Sequence, residues 1–338
     1  MNLLSARRTG PALAGLVGAA ALLSACAPAQ TVLGLQANTA VISGRPAITT
    51  EQATAVAERA LGQAQRADAL RTEDAARTAF TGLALKTAPP RYVVEKVLQP
   101  GTASSGGALQ PTIDPSRIVV TAGRAFPRTV VAVWKPAGAT VQQIAVLDSP
   151  DVRSPFQVSS RVDLLPGIGL PKTAPNTRGA SVLAPDVAGL AGTPTAVVAD
   201  LAKLLETGKA QKTPIATSSV VTAVRTKAAA QAKSVKAVAV FQQRHVPEKD
   251  GMRVFRTADG GAIVIAAIDR YDRFTVRKGA GVINPPPAYR ALGGGMKKIT
   301  RAATVKTVQM VVLHVPAQGK GEVQLLGFTE DPVAVVGR

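Results

Sequence analysis

Apolar residues recur at every third or fourth position near the start of the ordered part of the chain, a pattern typical of a helix with one buried face. Thr49 precedes this pattern and Gln52 lies three residues later, which is the spacing of a capping box. The sequence therefore predicts that ordered structure begins with a helix at Thr49. The apolar stripe consists of Ala53, Val56, Ala57, Ala60, Leu61 and Ala64.

A second, shorter helix is predicted from residue 72 to about residue 85. We expect Pro89-Pro90 to stop it, because proline lacks the N–H that a helix interior needs. Residues 92–98 fit either a strand or an extension of the helical part past the two prolines.

The section that follows is predicted to be β-structure, since short runs rich in β-branched residues alternate with turn residues. These runs lie at residues 118–121, 130–134, 142–147 and 156–162. Helices followed by such a meander indicate an α+β fold, in which the helices pack on one face of an antiparallel, curved sheet.

The second half of the chain repeats this order. Thr193-Pro194 predicts the start of a helix, and Gly208 predicts its end. A long helix is predicted from residue 218 to about residue 240. Strands are predicted at residues 252–256, 262–269, 305–314, 322–328 and near Val333.

Two hairpins support a duplication directly. Residues 130–137 align with residues 310–317, after which Gln142 falls on Gln324 and Pro150 on Pro332. A periodic match of this kind suggests an internal repeat. We therefore predict two related α+β domains, the first at residues 49–190 and the second at residues 191–338.

The composition excludes several classes of site. The 338 residues include one Cys and two His, so a disulfide framework, a cysteine-ligated zinc site and an iron–sulfur cluster are excluded, and no metal or other cofactor is predicted. With one Trp, three Tyr and seven Phe, the chain lacks the aromatic platform that binds single-stranded nucleic acid. Nucleic acid is therefore not an expected partner.

The N-terminus resembles a bacterial lipoprotein signal. Arg7 and Arg8 precede an uncharged apolar run at residues 11–23, which is too short to span a bilayer but has the length of a secretory signal. Leu23, Ser24 and Ala25 before Cys26 are similar to a lipobox, which implies cleavage after residue 25 and a diacylglyceryl (palmitate-type) thioether on Cys26. We expect residues 26–48 to form the lipidated N-terminus and a flexible tether. The alternative is an ordinary signal peptide with a buried cysteine.

The charge distribution points to an anionic surface. The chain has 40 Lys and Arg against 21 Asp and Glu, and no acid lies between Glu206 and Glu248 or between Asp272 and Glu322. An exported protein of this charge is attracted to anionic lipid or to anionic wall polymer. The residues predicted to contact such a surface are Arg225, Lys233, Lys236 and Arg244. The alternative for the basic helix is that its apolar face packs on a sheet.

Candidate chemistry is sparse. The sequence contains no nucleophile elbow, no Ser-x-x-Lys, no His-Glu-x-x-His and no P-loop. His245 lies near Glu248 and Asp250 in what the sequence indicates is a connecting loop, where a solvated histidine is commoner than an acid–base catalyst. The charges of residues 269–273 are interpreted as pairing at a hairpin tip. No catalytic residue is predicted.

Short motifs in a fixed order resemble a family of actinobacterial lipoproteins of unknown function. They are Phe126-Pro127-Arg128, Leu164-Leu165-Pro166-Gly167, Leu190-Ala191-Gly192-Thr193-Pro194, Ala258-Asp259-Gly260-Gly261-Ala262 and Leu326-Gly327. This resemblance implies a compartment and an architecture but no activity. The order of helices and strands in each half is also similar to the NTF2/cystatin-like plan, as an analogy of fold alone.

These observations predict a membrane-anchored, extracytoplasmic lipoprotein that acts as a non-catalytic binding or scaffolding module of the cell envelope. Its protein partner is not predicted. The first alternative is a module that binds a small apolar ligand in a cavity between helix and sheet. The second alternative is an envelope enzyme without a recognisable motif.

Overall fold

The computed structural model describes residues 45–101, 111–136, 138–209 and 211–338. Residues Gly44–Arg338 form one compact unit. Its fold is α+β, with two antiparallel sheets that have helices alongside and are not closed. Within the described ranges, no helix combines the length and the apolar character that crossing a membrane requires.

In the part of the chain that the structure describes, three helices precede the first sheet. They are α1 (Thr50–Leu70), α2 (Glu73–Ala79) and α3 (Gly82–Leu98). The predicted capping box is present, since Thr49 accepts a hydrogen bond from the Gln52 backbone and the Gln52 side chain accepts one from the Thr49 backbone. The buried face of α1 is mostly alanine, which lets the helix axis lie close to the sheet that it covers.

The first sheet is a meander of four strands in the order β1-β2-β3-β4. The strands are β1 (Ile118–Val120), β2 (Arg128–Trp134), β3 (Gln143–Ser149) and β4 (Gln157–Asp163). All four lie where the sequence predicts strands, within two residues at each end. One face, which includes Ala132, Ala145 and Leu147, packs against helices α1 to α3.

The second sheet has five strands. They are β5 (Ala239–Pro247), β6 (Arg253–Arg256), β7 (Ala262–Val276), β8 (Ala302–Val315) and β9 (Gln324–Gly337). The main order is β5-β7-β8-β9. Strand β6 pairs with residues 262–265 of β7, and β5 pairs with residues 268–276 of the same strand. Three helices accompany this sheet, namely α4 (Pro194–Thr207), α5 (Ser219–Val235) and α6 (Pro287–Leu292). As predicted, Thr193 caps α4, and Gly208 ends it in the left-handed conformation with φ 73°.

The two sheets share a hydrophobic cluster. Val131, Val133 and Ile144 of the first sheet belong to the same buried cluster as Ile265 and Val312 of the second. A backbone hydrogen bond from the Leu165 amide to the Leu326 carbonyl, 2.8 Å long, joins the end of the first sheet to β9. Two of the short motifs therefore meet in space.

The expectation that Pro89-Pro90 stops a helix is wrong. Helix α3 begins at Gly82 and continues through both prolines to Leu98, so the second of the two alternatives for residues 92–98 is correct. The actual break lies at Phe80, whose backbone is extended and forms a bridge to Val158 of β4. Tertiary pairing with a strand has overridden the local helical tendency there.

Three interpretations in the second half are also wrong. The long helix ends at Val235 and not near residue 240, because residues from Ala239 onward pair with β7 as strand β5. His245 consequently lies in a strand and is buried, not in a solvated loop. Residues 269–273 lie in the middle of the 15-residue strand β7 and not at a hairpin tip, with Asp269 and Asp272 buried.

The two aligned hairpins differ by one residue in their strand register, because the alignment places Gln142, and not Gln143, on Gln324. Trp134 pairs with Gln143 in the first, and His314 pairs with Gln324 in the second. Their places in the sheets differ, since β3 is flanked by β4 whereas β9 is an edge strand. The division into domains at residues 190 and 191 stays a prediction.

Candidate functional site

A cavity of about 350 Å³ lies between the first helices, the ends of the first sheet and the edge of the second. Helices α1 and α3 form one side, and strands β2, β3, β4 and β9 supply the other. Four carboxylates and two guanidinium groups are among the residues that line it. The charged residues are Asp68, Arg91, Glu95, Arg161, Asp163 and Asp331, and the polar and apolar ones include Gln65, Ala84, Thr87, Trp134, Gln143, Met310 and Thr329.

Asp68 organises one wall of this cavity. Its carboxylate accepts hydrogen bonds from Arg91 at 2.6 Å, from Arg161 at 2.7 Å and from the Tyr92 hydroxyl at 2.9 Å. Burial by itself would raise the pKa of Asp68, but the charges of Arg161 and Arg91 outweigh it and hold the pKa below its usual value. Asp68 is therefore an ionised anchor for two arginines from different elements.

Opposite this wall, a row of three side chains crosses the ends of the first sheet. Trp134, Gln143 and Asp163 are neighbours in the strand register, and Gln143 Nε2 donates to Asp163 Oδ1 at 2.8 Å. The Trp134 indole Nε1–H and Gln143 Oε1 are both buried without a hydrogen-bond partner among the described residues. Unpaired buried polar atoms are uncommon in folded proteins, because each one loses its hydration.

Asp331 on β9 completes the cavity. The residue is 7% exposed, and its Oδ2 atom has no hydrogen-bond partner in the described part of the chain. Burial raises the pKa of the Asp331 carboxyl, while Arg91 and Arg161 oppose this effect from a longer distance. The cavity thus contains four buried polar atoms without a hydrogen-bond partner among the described residues: one donor, on Trp134, and three acceptors, on Gln65, Gln143 and Asp331.

A second polar cluster lies on the other face of the second sheet, under helix α5. Six side chains form a closed ring of hydrogen bonds and ion pairs. They are Gln243, His245, Asp272, Arg270, Glu330 and Gln309, with neighbouring contacts between 2.7 and 3.3 Å. Burial lowers the pKa of His245 to about 4 and raises the pKa of Asp272. Most polar atoms of the ring are paired with one another, and Arg270 Nε is the exception, since it is buried without a hydrogen bond among the described residues. The ring therefore stabilises the sheet and offers few free groups to a ligand.

A third cleft, of about 530 Å³, lies beside strand β1 and is more apolar. Its wall includes Ile118, Val119 and Leu164 from the first sheet. Leu170 and Pro171 contribute from the loop that follows β4. Its chemistry suits the alternative of a small apolar ligand.

The basic residues predicted to contact an anionic surface are not brought together. Lys233 and Lys236 are exposed at the end of α5. Arg225 instead donates to the backbone carbonyl of Glu206 at the end of α4. Arg244 is exposed on the face of β5 opposite to the one that α5 covers, beside Arg273. The apolar face of α5 is packed in the core through Val224 and other residues, as the alternative for this helix expects.

Cys26, the predicted site of lipidation, and the predicted lipobox residues Leu23, Ser24 and Ala25 lie outside the described residues. Within the described ranges, no group of His, Cys, Asp and Glu has an arrangement that could hold a metal ion. The cavity could not be predicted from the sequence, because Asp68 and Arg161 are 93 positions apart and come together only in the fold. The only indication of this cavity in the sequence is the single Trp, which lies at the end of a predicted strand.

Residues 126–337 match a family that is described as a domain of unknown function, DUF8094. The match covers more than half of the chain, and the chain therefore belongs to this family. No curated protein and no solved structure matches it.

Proposed function

We propose that this member of the DUF8094 family is a lipid-anchored, non-catalytic binding module of the cell envelope, and that the cavity around Asp68, Trp134 and Asp331 holds its ligand. The observation that carries the proposal is the set of unsatisfied groups. The Trp134 indole N–H and the Asp331 carboxylate are buried at 5% and 7% exposure, line one cavity and lack partners among the described residues. A bound polar molecule would supply those partners.

The rigidity of the cavity favours binding over conformational gating. Its walls come from α1, α3, β4 and β9, and the charge network of Asp68 ties α1 to α3 and to β4. A site held by packed helices and strands is largely formed before its ligand arrives, which reduces the entropy lost on binding.

The chemistry of the lining residues favours binding over catalysis. Asp68 is held ionised by two arginines, and Glu95 forms ion pairs with Arg71 and Arg91. A covalent catalyst needs a nucleophile beside a base that activates it. The lining set contains no His, Cys, Ser or Lys.

The cellular location is proposed from the sequence. The apolar run before Cys26 and the residues Leu23, Ser24 and Ala25 support export, cleavage and lipidation. Two acyl chains hold a protein on a membrane much more firmly than one. A basic chain tethered in this way would present its folded part to anionic lipid or to wall polymer.

The cavity is tested by filling it. Ala84 lies on α3, is 4% exposed and lines the cavity, so Ala84→Leu places three additional carbon atoms inside it. Ala229→Leu, on the exposed side of α5, is the matched control. Full-length protein purified from its own membranes is examined by native mass spectrometry. We expect a bound small molecule on the wild type and on Ala229→Leu, and its loss from Ala84→Leu. Retention of the bound molecule by Ala84→Leu would place the ligand elsewhere and overturn the proposal.

The apolar cleft beside Ile118 supports a second candidate function, the binding of a small apolar ligand. In that case the molecule found by mass spectrometry would be retained by Ala84→Leu. It would be lost from Ile118→Glu or Leu170→Glu, which add a charge to the apolar wall.

A further inference from the structure

We propose that the ligand of the cavity is a small molecule with a primary ammonium group and at least one hydrogen-bond acceptor. This inference rests on the proposed function of the cavity and specifies its ligand class. The Asp331 carboxylate forms no ion pair with any cation in the described ranges, although the protein as a whole carries a formal net charge of +19. A surface rich in Lys and Arg thus surrounds a cavity in which carboxylates outnumber guanidinium groups by four to two.

The two arginines in the cavity are already engaged. Arg161 forms two hydrogen bonds with Asp68, at 2.7 and 3.3 Å, and Arg91 divides its contacts between Asp68 and Glu95. Their positive charge is therefore held on the Asp68 side. Asp331 lacks a directly bonded counter-charge, and a buried carboxylate without one is costly.

The orientation of Gln143 adds a second acceptor. Its Nε2 donates to Asp163 Oδ1 at 2.8 Å, and turning the amide over would place its oxygen against this carboxyl oxygen and lose the hydrogen bond. Gln143 Oε1 is consequently fixed as a buried acceptor without a partner. An ammonium group has three N–H donors, which suits a carboxylate and an amide oxygen together.

The Trp134 indole requires a hydrogen-bond acceptor in the ligand. An indole N–H can only donate, so its partner must be an oxygen or another acceptor. A volume of about 350 Å³ is at the lower end of small-molecule sites and too small for a polymer chain. Amino alcohols and amino sugars combine these features, whereas anionic and wholly apolar molecules do not.

The experiment uses Trp134 as its reporter, since it is the only Trp in the chain and gives a single indole ¹⁵N–¹H signal. The full-length protein is titrated with 2-aminoethanol and with glucosamine. Ethylene glycol and glucose are the uncharged counterparts of similar size. We expect the two amines, and not the two neutral compounds, to shift the Trp134 signal in a saturable way.

Asp331→Asn tests the role of the charge. It preserves the shape of the side chain and should fold at least as stably as the wild type, because it removes an unpaired buried carboxylate. We expect at least tenfold weaker amine binding in this variant. Asp186→Asn removes an equal charge from an exposed position and should leave the binding unchanged.

Three results would overturn the inference: no shift with either amine, equal shifts with the neutral compounds, or unchanged amine binding in Asp331→Asn. After each of these results the proposed function still holds if Ala84→Leu abolishes binding of the native ligand. Failure of the Ala84→Leu experiment removes the proposed function whatever the amines do.

Discussion

Gly327 of β9 lies so close to Asp163 of β4 that a Cβ atom at Gly327 would be 2.8 Å from the Asp163 carbonyl oxygen. This approach is where the edge of the second sheet meets the end of the first, beside the backbone bridge between Leu164 and Gly327. Because both strand ends also line the cavity, the glycine sets the distance between two of its walls.

Gly327→Ala is expected to destabilise the protein by about 1–3 kcal/mol, since the added methyl group must displace backbone. The measurement is chemical denaturation. Gly169→Ala is the control, because a Cβ there meets nothing within 4 Å. Equal stability of the two variants would show that the backbone at the junction between the sheets can shift at little cost in free energy.

Asp68→Asn should lower the free energy of unfolding by more than the loss of a surface ion pair does. The variant leaves Arg91 and Arg161 facing each other without their shared carboxylate, and we expect a loss of about 2–3 kcal/mol. Glu73→Gln removes the exposed pair between Glu73 and Arg77 on α2 and should cost no more than about 0.5 kcal/mol. Free energies of unfolding from urea titrations check both values. Similar small losses in the two variants would mean that the Asp68 network does not stabilise the cavity wall.

The buried His245 predicts a dependence of stability on pH. Burial lowers its pKa from 6.5 to about 4 in the folded protein, so the unfolded chain takes up a proton at higher pH than the folded one. The folded state is therefore favoured above pH 6.5, and this stability is lost as the pH falls towards 4, by an amount on the order of 3 kcal/mol.

Other groups act in the opposite direction over this pH range. Burial raises the pKa values of Asp272 and Asp331, so their protonation favours the folded state as the pH falls. The measurement is therefore the difference between the wild type and His245→Gln, which cancels these contributions to first order. We expect the stability advantage of the wild type to shrink from pH 7 to pH 4.5. A constant difference would exclude a neutral, buried His245.

The charged surface is predicted to act through helix α5. Lys233 and Lys236 lie on its exposed side, whereas Arg244 lies on the opposite face of the sheet, so one flat membrane cannot contact both. Binding of the full-length protein to anionic vesicles should weaken with salt. It should weaken further in the double variant Lys233→Gln and Lys236→Gln, and not in Arg244→Gln. Equal retention on neutral and anionic vesicles would show that the positive charge contributes to solubility and does not direct the protein to anionic membranes.

The lipid anchor is predicted to depend on one sulfur atom. Cys26→Ala should move the protein from the detergent phase to the aqueous or secreted fraction, because neither Ala nor Ser can form the thioether. Each buried methylene contributes about 0.8 kcal/mol to membrane binding. Phase partitioning together with mass spectrometry of the mature N-terminus checks this. An unmodified Cys26, or a variant that stays in the membrane, would contradict it.

The amino-acid sequence by itself determined the local elements of this protein. The capping box at Thr49, the Thr193-Pro194 helix start and the end at Gly208 are all present, since a cap depends on residues within one or two turns. The four strands of the first sheet are likewise present, because runs of β-branched residues suit strands that are buried on one or both faces.

Only the tertiary structure decided which of these elements face one another. The sequence predicts the end of a helix near residue 240 and then a connecting loop around His245, but residues from Ala239 onward form β5, because the edge of β7 offers them hydrogen bonds. The same holds for the cavity. Asp68, Trp134 and Asp331 come from three distant parts of the chain, and no spacing rule connects them. A site of this kind depends on the packing of whole helices against two sheets, and long-range packing leaves no periodic trace in the sequence.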